Sequence, residues 1–213
     1  MSWDNLLADG LWSRWVDRPP LQITLDWIES LAKSKAKRVY DMGCGVGRHT
    51  LLLAQRGFEV AASDNSAQAL LATKQKLQHA GLVAQIVDAD MTLIPFPSEH
   101  FDAVLAISVL EHNVRSGVEK AIAEIFRTLR PEGKILAAFC PRDRWISKDD
   151  PKVEMIEDNT LKSYGPEEIL HHLVDEKELR ELFAQFIILS IDPQREEWDG
   201  GSSAELFISA QKP

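Results

Sequence analysis

The sequence predicts an α/β fold in three layers: a mostly parallel sheet of seven strands with the last strand antiparallel, helices on both faces, an N-terminal helical cap and an insert after the fifth strand. Three observations predict it. Short apolar runs alternate with segments long enough for helices, the pattern of parallel strands joined by right-handed crossovers. The first run breaks into a glycine-rich loop that opens a helix. The last two runs are separated by a turn-rich stretch with no room for a crossover helix, which implies an antiparallel hairpin.

Taken in order, the chain opens with a segment carrying Trp3, Trp12 and Trp15 ahead of Pro19-Pro20, expected as a helix over residues 1–20 laid on the domain. The strand candidates of the alternating core, 38–139, are Arg38–Met42, Glu59–Ser63, Ala84–Val87, Ala103–Ile107 and Lys134–Phe139. Its helix candidates are His49–Arg56, Ala67–His79 and Val118–Leu129. Gly57 and Gly81 stop the first two, and Pro131-Glu132-Gly133 makes a turn after the third. After Phe139 the rhythm breaks. Residues 140–174 are polar, with Pro141, Pro151, Gly165 and Pro166, and are expected as an irregular insert or lid. The C-terminal part, 175–213, resumes with a helix at Glu176–Phe183 and strands at Ile187–Ile191 and Glu205–Ser209.

A length of 213 residues suits one domain with a modest insertion. The net charge of −9 offers no broad positive field, so no nucleic acid is expected as a partner. No apolar run nears the ~20 residues that span a bilayer, and MSWDNLLADG lacks the build of a signal peptide. The expected setting is the cytoplasm, with no membrane. Two cysteines, Cys44 and Cys140, are too few for a disulfide framework.

The sharpest feature is Asp41-Met42-Gly43-Cys44-Gly45-Val46-Gly47, where the first strand runs into glycines and then a helix. Glycines allow a ligand to approach the backbone, and the helix start offers free N–H groups. Alone, such a loop is a weak signal, and a tight turn without a ligand explains it as well. A dinucleotide loop would be G-x-G-x-x-G, but the third glycine comes one place early. Asp64 ends the second strand about 20 residues on, where a carboxylate can accept two ribose hydroxyls, cap the next helix, or do both.

VYDMGCGVGRHT, VAASDNS, IVDADM before PFPSEHFDAV, SVLEH and LRPEGKIL, in this order and spacing, resemble the class I S-adenosylmethionine (SAM)-dependent methyltransferases, a Rossmann-like family. The resemblance covers about half the chain and makes 38–139 the SAM-binding core. It implies that Gly43, Cys44, Gly45 and Gly47 run beside the methionine part of SAM, and that Asp41 holds its ammonium directly or through water. It also implies that Asp64, with Asn65, binds the ribose. Asp90 then faces the adenine amine with the Met91 backbone on the ring edge, unless Asp90 is a surface turn acid. Ile107 and Ser108 close the pocket under the amino acid moiety. SAM carries a sulfonium and an ammonium but no phosphate, so acids suit its site. In the family's strand order Cys44 and Cys140 stand about two strand spacings apart, ~10 Å, beyond disulfide reach.

Methyl transfer needs a nucleophile held in line with the sulfonium, and a base only where the acceptor must lose a proton early. The base candidates are His112, past the fourth strand, and His171-His172, of which only one can face inward if the stretch is extended. Packing below the site explains His112 equally well, and a surface role suits each of the pair. No metal is expected: His49, His112, His171 and His172 coexist with many acids, but no H-x-E, HExxH or CxxC spacing joins them. Trp12 and Trp15 with Arg14 and Arg18 either pack on the sheet or cap the site. In the second case Arg18 meets the SAM carboxylate.

The leading expectation is a methyltransferase acting on a small-molecule acceptor through an oxygen, nitrogen or sulfur nucleophile. The alternatives are a protein or RNA methyltransferase and a non-catalytic SAM-binding protein. Neither the cap nor the insert holds a motif tied to one acceptor.

Overall fold

The computed structural model describes residues 19–144, 153–163, 169–198 and 201–213. The expected cap over 1–20, including Arg18, lies almost wholly outside the described residues. The first described helix is α1, Gln22–Ala32, which the sequence reading did not anticipate. Its buried residues Thr24, Trp27, Ile28 and Leu31 fall at helical spacing, so one stripe faces the sheet.

The core follows in the expected order: β1 (Arg38–Met42), α2 (Arg48–Gln55), β2 (Glu59–Asp64), α3 (Ala67–His79), β3 (Gln85–Asp88), β4 (Phe101–Ile107), α4 (Arg115–Thr128) and β5 (Leu129–Phe139). Then come β6 (Val153–Glu157), β7 (Thr160–Ser163), β8 (Ile169–His172), α5 (Glu176–Leu182), β9 (Ile187–Trp198) and β10 (Gly201–Gln211). Seven strands form one sheet in the order β3-β2-β1-β4-β5-β10-β9. β1 to β5 are parallel, and β10 runs antiparallel to both its neighbours, β5 and β9.

Alternation along the strands divides the core between two faces. Tyr40, Val104, Ile135 and Ile208 pack with Val118, Ile122 and Ile125 of α4, with Leu179 of α5 and with Phe183 at its end. Val39, Leu105, Leu136 and Phe207 pack on the other face with Trp27, Ile28 and Leu31 of α1 and Leu53 of α2. This is the expected three-layer arrangement.

Three expectations need correction. The insert is not irregular: β6, β7 and β8 form a separate antiparallel sheet. Pro131-Glu132-Gly133 does not delay β5, because Leu129 already pairs with Phe101 and the extra residues form a bulge, with Glu132 at φ 64°. The final hairpin is also longer than 187–191 and 205–209, since its ladder runs out to Gly201 opposite Trp198. β9 is an edge strand, where the missing N–H of Pro193 is tolerated.

Candidate functional site

The carboxyl ends of β1, β2, β3 and β4 gather the residues named from the sequence, since parallel strands deliver every following loop to one edge. The loop after β1 turns through Gly43, Gly45 and Gly47 at φ 65°, 52° and 84°, left-handed backbone that favours glycine. It is clasped from both sides. Toward β2, the Cys44 N–H donates to the Ser63 carbonyl at 2.8 Å and the Thr73 hydroxyl to the Gly45 carbonyl at 2.8 Å. Toward β4, a Cβ on Gly43 would lie 2.3 Å from Val109 Cγ2, so glycine alone allows that contact. Neither Thr73 nor Val109 carries a local signal in the sequence.

Asp64 joins the loop to the next helix. Its Oδ2 accepts from the Gly45 N–H at 2.8 Å and its Oδ1 from the Ser66 N–H at 2.9 Å. The α3 cap is Ser66, whose hydroxyl accepts from the Ala69 N–H at 3.1 Å, so the alternative of Asp64 as side-chain helix cap falls away. Asn65 is exposed on the same turn.

Asp41 is buried beneath the loop on the α2 side and accepts from the Thr50 hydroxyl at 2.6 Å. Burial pushes its carboxyl up to about 7, and the Thr50 hydrogen bond and Arg48 only partly offset this. Cys44 is a buried thiol, raised by burial, and both Cys44 and Cys140 are free. His49 is buried as well, and burial lowers it to about 3, so its imidazole is neutral.

Asp90 is exposed in the turn after β3, where its Oδ1 accepts from the Thr92 amide at 2.7 Å and hydroxyl at 2.6 Å. Met91 is half-buried against the core. Ile107 ends β4. Ser108 follows at φ 52°, an uncommon conformation for serine, with its N–H on the Ala138 carbonyl and its hydroxyl donating to Glu205 Oε1 at 3.3 Å. Glu205, on β10, was not anticipated from the sequence, because nothing local in AELF marks it.

The three candidate base histidines meet where the insert docks. His112 Nδ1 donates to the Leu170 carbonyl at 3.0 Å, and burial lowers its pKa. His171 packs edge-on against it, with ring centres 4.9 Å apart. His172, alternating along β8, turns the other way and is fully buried. There its Nδ1 meets the Thr160 hydroxyl at 2.7 Å and its Nε2 meets Glu178 at 3.0 Å. Glu178 in turn receives Arg115 at 2.7 Å and Arg142 at 2.6 Å. His172 therefore ties the insert to α5 directly and to α4 through Glu178 and Arg115.

Among the described residues, no three His, Cys, Asp or Glu side chains group as metal ligands, and no helix is long and apolar enough to cross a membrane.

Comparison with known proteins gives a consistent family. Residues 40–137 match the methyltransferase domain family. A demethylmenaquinone methyltransferase of Thermus thermophilus is 35% identical over 114 residues, 52% of this chain and 51% of that protein. A ubiquinone biosynthesis O-methyltransferase of Azoarcus sp. is 34% identical over 112 residues, covering 50% and 48%. The chain thus spans about half the length of the curated relatives it matches. A solved SAM-dependent methyltransferase from Methanosarcina mazei shares the fold across 92% of this chain and 99% of its own, with a TM-score of 0.76 at 22% identity.

Proposed function

From a chain whose residues 40–137 are a class I SAM-dependent methyltransferase domain, we propose an enzyme that transfers the methyl group of SAM to a small-molecule acceptor through an oxygen, nitrogen or sulfur nucleophile. The observation that carries this is the clasped glycine loop with Asp64 bridging Gly45 and Ser66 at the carboxyl edge. Acids, not lysines, stand at the ends of β1, β2 and β3, which fits a ligand with two cationic centres and no phosphate. One of these relatives is named for demethylmenaquinone and the other for ubiquinone biosynthesis, so quinone-related rings head the acceptor classes to test.

Bound here, SAM supplies an electrophilic methyl group on its sulfonium. Gly43, Cys44, Gly45 and Gly47 lie along its methionine end, and Asp41 ionises against its ammonium. Asp64 takes the ribose hydroxyls beside Asn65, and Asp90 and Met91 border the adenine. Ile107 and Ser108 bound the amino acid moiety, and Arg18 is the candidate for its carboxylate. Holding the acceptor in line supplies much of the acceleration, so no protein nucleophile is needed. His112 and His171, packed edge-on with ring centres 4.9 Å apart, are both imidazoles to test as a base.

The test is S-adenosylhomocysteine release against a metabolite panel led by quinone-related rings, with a protein extract and RNA as further arms. Turnover of a small molecule supports the reading. Turnover only with protein or RNA contradicts the acceptor class, and binding without turnover on any arm points to a non-catalytic SAM-binding protein.

A further inference from the structure

β10 enters the sheet beside β5 at the carboxyl edge. Leu206 pairs with Phe139, so Glu205 lies one residue beyond the end of β5. From there its Oε1 accepts from the Ser108 hydroxyl at 3.3 Å, reaching over β5 to the end of β4. Ser108 holds φ 52°, and its N–H is bonded to the Ala138 carbonyl at 3.2 Å. A serine stays in left-handed backbone only where its surroundings over-determine it. The consequence falls on the next residue. Val109 fills the space against Gly43, so close that a Cβ on Gly43 would lie 2.3 Å from Val109 Cγ2 and 2.6 Å from Val109 Cβ. The opposite side of the loop is fixed by Asp64, Ser63 and Thr73.

We propose that Glu205 is a positioning residue for the cofactor loop: by holding Ser108 it seats Val109 against Gly43 and keeps the glycine loop in its binding shape. This rests on the reading of that loop as the SAM site. It links β10, on the half of the sheet away from β2 and β3, to the loop that the cofactor occupies. Glu205 acts through Ser108 and does not touch the cofactor.

The test is a double-mutant cycle with S-adenosylhomocysteine as the probe, read by titration calorimetry on the full chain. Glycine adopts φ 52° without support, so removing the carboxylate matters only while serine occupies position 108. Glu205→Ala is expected to weaken binding about three- to tenfold with Ser108 present, and less than about twofold in the Ser108→Gly background. Circular dichroism checks that each variant is folded, and Glu205→Met, which keeps the length and has no oxygen to accept from Ser108, replaces Glu205→Ala if the latter fails to fold. Equal losses in both backgrounds overturn the proposal, as does no loss with Ser108 present. A wild-type chain that binds no S-adenosylhomocysteine removes the SAM reading itself, which is a separate result from a wild type that binds while the cycle shows no coupling.

Discussion

Asp64 and Asp41 show how the same side chain takes different work from its surroundings. Asp64 accepts from the Gly45 and Ser66 amides, so its loss removes a loop anchor, and with it the ribose contacts proposed for the same carboxylate. Asp64→Ala should weaken S-adenosylhomocysteine binding by ~1.5–3 kcal/mol, measured by calorimetry. An unchanged affinity would confine Asp64 to holding the loop. Asp41 lies deeper. Its carboxyl moves from 3.8 unfolded to about 7 folded, so its contribution to stability is complete below about 3.8 and is lost as pH rises through about 7. Above that, an ionised carboxylate is buried at a cost of roughly 3–5 kcal/mol. Asp41→Asn keeps an acceptor for Thr50, and thermal denaturation should show it more stabilising at pH 8 than at pH 6. Equal shifts at the two pH values would contradict the raised pKa.

At the scale of elements, the insert is fastened by charge and hydrogen bonding. α4 has no side-chain cap of its own at Val114, and Glu157 of β6 supplies one, accepting from the Arg115 N–H at 2.6 Å. Glu157→Ala should cost about 1 kcal/mol in denaturant unfolding. His172→Ala loses two buried hydrogen bonds and should cost ~2–3 kcal/mol, whereas His171→Ala should stay within about 1 kcal/mol and lower turnover if His171 is the base. A stability loss for His171 as large as for His172 would contradict the division of roles along β8. These features were poorly legible in the sequence. VEMIE in β6 is mostly exposed, so it shows no apolar alternation, and Glu178 is buried only because Arg115 and Arg142 arrive from distant segments. α1 was legible but missed, since Thr24, Trp27, Ile28 and Leu31 carry a helical stripe. β1 and β2 were legible because they are buried runs that end at Gly43 and Asp64. The loop's second clasp, Val109, was not, because its contact with Gly43 depends on β4 lying next to β1.

For the whole molecule, topology does the gathering: seven strands with crossovers on both faces bring Asp41, Asp64, Asp90 and Ser108 to one edge from distant parts of the chain. The sequence order of the strands makes this legible, and the docking of the insert on Glu111 and His112 does not follow from it. A ligand held by that edge binds only the folded state. At 100 times its Kd it should stabilise the fold by ~2.7 kcal/mol, visible as a concentration-dependent rise in Tm. The most direct test of the central claim is titration calorimetry of S-adenosylhomocysteine, with NAD as the control. The account predicts micromolar binding of S-adenosylhomocysteine, weakened in Asp64→Ala, and none of NAD; binding of NAD with no binding of S-adenosylhomocysteine would contradict it.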